Sequence, residues 1–410
     1  MSEAKSLYLV MVDPNNNNNK YYKMDYTSGD TFSIEYGRIG QGKQTETYSI
    51  SMWEKKRKEK LKKGYVDMTS LVADETKKIK SDKKYIDIPD RVIAEIVERL
   101  QARARKTVEE NYTVSSTAVS KKMIEVAQHL IDKLVSENNL IEFNEILLDL
   151  FRVIPRKMNI NRGVKDYMAK SNEDFGKIIQ SEQDLLDVMH GQVATHDAEE
   201  DEDDNIEKFD RTILDIMGLV IEQTTDEDIK IIKNSLGDIK DKFHKAWKVK
   251  SIKTQEKFDK FVNDNNIKER KLLWHGSRNE NWWSIICNGL VLRPQAVITG
   301  KLFGNGIYYA PKAQKSLGYT SINGSYWAKG GESSGFMSLY DVAYGIPYNV
   351  YDFDNKFNNL DYNGLQRLCP NSNCLHAHAG ANLGNSRLRN DEIVFYQENQ
   401  ITIKYLVELR

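Results

Sequence analysis

The spacing of apolar and polar residues changes twice along the chain. Between residues 6 and 49, SLYLVMVD and KYYKMDY flank an Asn run at 15 to 19, and FSIEYGRIG and QTETYSI are punctuated by Gly37, Gly40 and Gly42. Short apolar runs between turn formers predict a small sheet, and SMWEKKRKEKLKKGYV predicts a helix stopped by Gly64. From Pro89 the period becomes 3.6, with three apolar stripes: Val92, Ile93, Ile96, Val97 and Leu100; Met123, Ile124, Ala127, Leu130, Ile131 and Leu134; and Phe143, Ile146, Leu147, Leu150 and Ile154. Ser120 marks a helix start and Pro155 a stop, and further helical stretches at Asp184 to Val193 and Asp226 to Asn234 complete a bundle. In the last third, Gly and aromatic residues rise and helices shorten. FMSLYDVAYG and EIVFYQENQITIKYLVEL read as strands, with Ile401, Ile403, Tyr405 and Val407 alternating. The expected fold class is multidomain α+β: a small β-sheet with one helix, an α-helical bundle, and a mixed α/β domain with antiparallel sheets.

At 410 residues the chain exceeds one core, so two or three domains are expected. A net charge of −1 with 29% charged residues is what a soluble intracellular protein carries. There is no run of about eighteen apolar residues, and MSEAKSLYLVMVD lacks a basic n-region, so neither a membrane span nor an exported chain is expected. Cys287, Cys369 and Cys374, few and odd in number, fit free thiols in a reducing compartment. Charge is uneven. Residues 1–85 hold roughly five more basic than acidic side chains, concentrated in EKKRKEKLKK (54–63) and KKIKSDKK (77–84), which suggests an anionic partner. DAEEDEDD (197–204) is expected as a solvated loop between helices.

Two segments carry the chemistry, KLLWHGSRNEN (271–281) and FGNGIYYAPKAQKSLGY (303–319). His275-Gly276-Ser277 follows apolar Leu272-Leu273-Trp274, which puts the histidine at the end of a buried strand. Gly276 lets the backbone come close enough to a ligand for two hydrogen bonds to a carboxamide. Gly304 and Gly306 predict a tight turn, Ile307-Tyr308-Tyr309-Ala310 a strand, and Lys315, Ser316 and Tyr319 a following helix with Lys315 and Tyr319 on one side. Tyrosine faces for a planar ring and a serine hydroxyl for its amide suit NAD used as a substrate. Alone, FGNG is any tight turn, and a histidine after a strand is usually a core residue; the ordered set is what points to a site. Cys369, Cys374, His376 and His378 lie within ten residues, but their spacing is not a common zinc knuckle, and no metal is assigned to them.

KLLWHGSRNEN, TGKLFGNGIYYA, KSLGY and NDEIVFY closely resemble the catalytic domain of the poly(ADP-ribose) polymerases, in the diphtheria-toxin-like class with a His-Tyr-Glu triad. Upstream, YGRIGQGKQTETYSISMWEKKRKEKLKKGYV is similar to the WGR domain. SKKMIEVAQHLIDKL and FNEILLDLFRVIPRKM are similar to the helical regulatory domain. The resemblance implies a WGR-like DNA-binding domain at 1–85, a helical regulatory domain at 86–225 and an ADP-ribosyltransferase domain at 226–410. It implies a triad of His275, Tyr308 and Glu392. The nicotinamide would be held by Gly276 and Ser316 and stacked between Tyr308 and Tyr319. His275 and Ser277 would reach the adenine-side ribose with Arg278 and Asn281 nearby, and Gly306 and Lys315 would complete the NAD site. NAD+ is then the substrate and no metal is required.

Glu392 would bind the nicotinamide ribose and orient the acceptor. Transfer-only relatives often carry an apolar residue there, so a glutamate favours polymer growth. Tyr36-Gly37-Arg38 replaces Trp-Gly-Arg, with Arg38 placed to pair a terminal phosphate at a DNA end or nick. Protein acceptors including the chain itself, an accessory factor completing the acceptor site, no membrane, and a nuclear location in a eukaryotic cell follow from the same resemblance. The chain begins almost directly with the WGR strands, so DNA recognition is expected to rest on that domain. Three departures stand out: Tyr309 and Pro311 replace Phe and Asp, and Asp391 replaces Asn, adding a negative charge beside Glu392. The alternative is a DNA-binding scaffold with an inactive or regulatory transferase fold.

Overall fold

The computed structural model describes residues 5–71, 85–112, 119–158, 163–200, 211–292, 302–325, 328–384 and 386–410, with backbone only at 196–200, 324–325 and 328–329. The chain forms two compact units. One combines residues 1–81 with 105–193, and the other 82–104 with 194–410.

The first unit starts with β1 (Lys5–Asp13), β2 (Asn18–Tyr26), β3 (Thr31–Arg38), β4 (Lys43–Ser49), α1 (Trp53–Lys62) and β5 (Val66–Asp67), the strands pairing antiparallel in the order β4-β3-β2-β1-β5. Leu7, Leu9, Tyr22, Met24, Tyr26, Phe32, Ile34 and Trp53 close its core. Asn17, at φ +48°, makes the β1–β2 turn, a conformation that Asn tolerates. As expected, α1 stops at Gly64, which adopts φ +87°. The basic run 77–84 lies outside the described residues.

The helices are α2 (Arg91–Asn111), α3 (Lys121–Ser136), α4 (Leu140–Val153) and α5 (Phe175–Glu200). The Ser120 hydroxyl caps α3 by accepting from the Met123 N–H at 3.2 Å, and the Asn139 side chain accepts from Ile141 N–H at 2.9 Å to cap α4. Most of the predicted stripe residues are buried, Met123, Ile124, Ala127, Ile131 and Leu134 on α3 and Phe143, Leu147 and Leu150 on α4, while Leu130 and Ile146 are only half-buried and Leu148, outside the predicted stripe, is buried. Phe143 stacks on Phe175 of α5 with ring centroids 3.8 Å apart. Sheet and helices of this unit meet through polar contacts. Asn19 donates to the Arg156 carbonyl at 3.0 Å, and Val164 N–H to the Asn17 side chain at 3.1 Å.

One expectation is corrected here. The acidic stretch 197–204 is not a loop from its start, because α5 continues through Glu200; residues 201–204 lie outside the described residues. Extending an existing helix adds one backbone hydrogen bond per residue with no new nucleation cost, which outweighs the weak preference of a charge run for open chain.

The second unit takes the N-terminal part of α2 and then α6 (Ile213–Ile216), β6 (Leu219–Gln223), α7 (Asp226–Leu236), β7 (Phe243–Ser251), α8 (Ile252–Asp264), β8 (Lys271–Gly276), α9 (Trp282–Asn288), β9 (Ile307–Tyr309) and α10 (Ala313–Leu317). It continues with β10 (Gly324–Ser325), β11 (Ala328–Lys329), β12 (Gly335–Val342), β13 (Pro347–Asp352), α11 (Tyr362–Leu368), β14 (Cys374–Asn382), β15 (Glu392–Phe395) and β16 (Ile401–Leu409). One sheet runs β6-β7-β16-β12-β8, antiparallel throughout; the other runs β13-β14-β15-β9, with only β13 and β14 parallel. The C-terminal apolar stretch thus supplies a strand to each sheet. Trp274 and Ala310 exchange two backbone hydrogen bonds, of 2.9 and 3.0 Å, and join the sheets where the site residues gather.

Within this unit α2 is anchored by ion pairs. Arg99 donates two hydrogen bonds, of 3.1 and 2.7 Å, to the fully buried Glu408 carboxylate, and Arg103 donates to Glu332 at 2.6 Å. A two-point Arg–carboxylate contact fixes orientation as well as position.

Candidate active site

β8 delivers His275 and Gly276 to the junction of the two sheets. Trp274 turns its N–H and C=O away from β12 to bond Ala310, so by strand alternation Gly276 turns its own N–H and C=O to the same free edge. A β-carbon on Gly276 would sit 2.0 Å from the Ser316 carbonyl oxygen, so glycine is required by the close approach of α10. That differs from the expectation, in which the glycine only made room for a ligand.

The His275 ring places Nδ1 3.1 Å from the Tyr308 carbonyl oxygen. A carbonyl only accepts, so Nδ1 carries the proton and Nε2 is left as an acceptor. Burial pushes the imidazole down to about 4 despite that hydrogen bond, so the ring is neutral near pH 7. Tyr309 and Tyr340 flank it, with ring centroids 5.6 and 6.2 Å away. Both carry buried hydroxyls with no hydrogen-bond partner among the described residues.

Tyr308, on β9, is fixed at both ends. Its hydroxyl accepts from Phe303 N–H at 2.9 Å and donates to the Gly304 carbonyl at 3.0 Å. Burial raises its phenol, and the nearby Glu392 carboxylate adds to this; the same two causes act on Tyr319. Gly304 needs its φ of +81°, and a β-carbon there would run into Leu360 backbone. Gly306 is explained by packing, since a β-carbon would meet Val394 at 2.3 Å.

Glu392 begins β15, buried, and pairs with the Lys315 ammonium of α10 through one oxygen, while its Oε2 is buried without a hydrogen-bond partner among the described residues. Lys315, expected to contact NAD, is here paired with the carboxylate of the expected triad. Ser316 is buried and donates to the Trp274 carbonyl at 3.1 Å. The expected common helical face for Lys315 and Tyr319 is corrected: α10 ends at Leu317, and the chain tightens through Gly318, with Tyr319 N–H bonding Ser316 C=O at 3.1 Å. Tyr319 is left 54% exposed beyond the helix.

The turn after the histidine is held by a residue with no signal in the sequence pattern. Asn279 is fully buried; its side chain donates to Glu332 at 2.9 Å and to the Ser334 carbonyl at 3.0 Å, and accepts from Phe336 N–H at 3.2 Å. Beside it, Asn281 donates to the Ser277 hydroxyl at 3.0 Å and Arg278 pairs with Glu280 at 2.5 Å.

Asp391 precedes Glu392 but alternation sends it to the other sheet face, where it accepts from Ala379 N–H at 2.8 Å and lies 3.0 Å from His376 Nε2. Its charge is therefore met there. Cys374 is buried and donates to the Tyr344 carbonyl, apart from the two histidines. In the first unit, Tyr36 donates to Glu46 at 2.7 Å, and the Arg38 guanidinium grips Asn17 through two hydrogen bonds of 2.5 and 3.0 Å. Arg38 thus has a structural partner in the turn before β2.

Residues 226–410 match the poly(ADP-ribose) polymerase catalytic domain and residues 5–71 the WGR domain. The chain is 34% identical over 202 residues to uncharacterized protein 101L of Invertebrate iridescent virus 6, covering 48% of this chain and 82% of that protein. It is 31% identical over 195 residues to the putative poly [ADP-ribose] polymerase-like 100L of the same virus, covering 46% of this chain and 96% of that protein. Poly [ADP-ribose] polymerase 2 of Arabidopsis thaliana is 31% identical over 169 residues, 37% of this chain and 26% of that protein. The triad segments, the two-sheet fold that gathers them and these matches agree, and the chain belongs to the poly(ADP-ribose) polymerase family.

Proposed function

We propose that the chain is a DNA-break-activated, NAD+-dependent ADP-ribosyltransferase that modifies proteins, itself included, and extends the product into poly(ADP-ribose). The observation that carries this reading is the buried Glu392 carboxylate, fixed by Lys315 through one oxygen with the other unpartnered among the described residues, beside Tyr308 and Tyr319. A desolvated acceptor oxygen is costly unless something binds it. Hydroxyls of a ribose and of an acceptor are suited to do so.

In the proposed reaction the bond between nicotinamide and ribose breaks, its electron pair leaves with nicotinamide, and the acceptor oxygen forms the new bond to the sugar. Positive charge develops on the ribose as in glycoside cleavage. Glu392 stabilises that charge, accepts a hydrogen bond from the attacking hydroxyl and takes its proton as the bond forms, releasing it afterwards to solvent. Gly276 offers its free-edge N–H and C=O to the carboxamide of the leaving group, and the Ser316 hydroxyl turns to it from Trp274. The neutral His275 receives a ribose hydroxyl at Nε2, with Ser277 and Asn281 at its side.

The division into a WGR-like domain (1–85), a regulatory helical domain (86–225) and a catalytic domain (226–410) belongs to this proposal. The first recognises DNA ends or nicks through Tyr36, Arg38 and the lysines of α1. Binding there loosens the helical domain, an order-to-disorder switch. In a eukaryotic source, a DNA trigger implies a nuclear location.

The test is labelled-NAD+ transfer by the full chain with and without nicked duplex. Turnover stimulated by DNA is expected, with Glu392→Ala retaining some NAD+ cleavage but losing chain growth. Zero turnover under both conditions sinks the enzymatic reading in favour of a DNA-binding scaffold; equal polymer from the variant sinks the role of Glu392.

A further inference from the structure

The face of the β13-β14-β15-β9 sheet opposite Glu392 holds a cluster that the transfer reaction does not use. His376 and His378 stand two apart on β14 and share one side, and the β14–β15 register, with Ala377 opposite Glu392, brings Asp391 to that side as well. One ligand-capable atom from each of the three lies within 4.8 Å of the other two. The cysteines of the same sequence stretch do not join them.

We propose that His376, His378 and Asp391 bind a divalent first-row transition-metal ion such as Zn2+. Two imidazoles and a carboxylate are the ligand types that such ions take, leaving a fourth position for water. The outer contacts argue more strongly, because each candidate ligand is already held by its far atom. His376 Nδ1 is 2.7 Å from the Tyr344 hydroxyl, His378 Nε2 is 2.8 Å from the Asn349 side-chain oxygen, and Asp391 Oδ1 accepts from Ala379 N–H at 2.8 Å. This leaves His376 Nε2, His378 Nδ1 and Asp391 Oδ2 for the ion, and it is the outer-shell arrangement that fixes ring orientation and tautomer in metal sites.

The His376 and His378 rings are stacked at 4.0 Å, with Tyr351 on the outer side of His378 at 4.6 Å. Bonds of about 2.0–2.1 Å need nitrogens and oxygen only about 3.3 Å apart. His376 Nε2 and Asp391 Oδ2, 3.0 Å apart, already have about that separation, so binding turns the half-buried His378 ring out of its stack with the exposed Tyr351 to bring its Nδ1 to them. The ion ties β14 to the residue before Glu392. It does so from the side away from the substrate.

The test uses the full chain, freed of metal by chelation and titrated with Zn2+ by calorimetry, with Co2+ absorption as a second readout. One ion per chain is expected, with a Kd of about 1 μM or tighter, visible Co2+ bands, and a melting temperature raised by roughly several degrees in excess Zn2+. His378→Ala, at a half-exposed position where folding is retained, should weaken binding at least about tenfold, as should Asp391→Asn, while Asn349→Ala costs about tenfold through the outer shell. Cys369→Ser and Cys374→Ser should leave binding unchanged. A folded chain that takes up no Zn2+ at about 0.1 mM overturns the proposal and leaves a hydrogen-bonded Tyr344–His376–Asp391 relay. Binding that survives His378→Ala, or that is lost in the cysteine variants, overturns it as well.

Discussion

A single charge pair governs the site at the residue scale. Removing the ammonium in Lys315→Met leaves the Glu392 carboxylate buried without its cation. The expected outcome is a kcat lowered by about 10²-fold with the KM for NAD+ changed far less, because in the proposed reaction the carboxylate's contact with the ribose strengthens as positive charge develops in the transition state. Steady-state kinetics decide, and a rise confined to KM would return Lys315 to the role of a substrate contact. His275 gives a pH prediction of definite sign. Its folded pKa is depressed to about 4 from 6.5, so the stability it contributes is complete above pH 6.5 and is lost as pH falls through the interval down to about 4. Denaturant unfolding between pH 7 and 4 should show a steeper loss for the wild-type chain than for His275→Asn, whose side chain does not titrate; parallel curves would mean that the ring is not held neutral. Tyr309 and Tyr340, with buried hydroxyls around the same ring, have no hydrogen-bond partner for them among the described residues.

Contacts between elements, rather than the elements themselves, were the harder part to read from the sequence. Gly276→Ala would drive a β-carbon into the Ser316 carbonyl at the α10 to β8 contact. Overpacking against backbone costs about 1–3 kcal/mol, and the displacement of Ser316 and Lys315 should abolish turnover while leaving a folded protein; full activity in this variant would refute the contact. Short apolar runs in β1 to β3 and the 3.6 period in α2 to α4 announced those elements because each has one buried face, whereas β4 is exposed almost throughout. The His, Tyr and Glu segments were legible as short motifs. What stayed hidden depends on long-range approach. Lys315 and Glu392 are 77 residues apart, and nothing local marks them as partners. Asn279 sits in a polar loop where a buried asparagine has no periodic signature. Tyr319 lies beyond the end of α10 at Leu317, which no local signal marks, and Arg38 found a turn asparagine before any phosphate.

For the molecule as a whole, charge separates what composition averages away. The net charge is −1, yet α1 carries exposed Lys55, Lys58 and Lys62 in a basic first domain. If this surface meets DNA, binding of the full chain to nicked duplex should fall linearly in log–log form with salt, by about 0.9 per phosphate neutralised. Replacing those three lysines by alanine should flatten the slope by about two to three units, read by fluorescence anisotropy across salt concentrations; an unaltered slope would move the DNA off α1. The register of β14 and β15 has a different consequence. Asp391 and Glu392 are neighbours in sequence but belong to opposite sheet faces only because strand positions have parity. Substitution cannot change parity, whereas inserting one residue in the β14–β15 connection, if the ladder slips to absorb it, would present aspartate to Lys315 and turn the glutamate toward the histidines, and deleting one would present Ile393. The loop between these strands is therefore free to vary in composition but constrained in length, and natural length variation there should come in steps that preserve the phase.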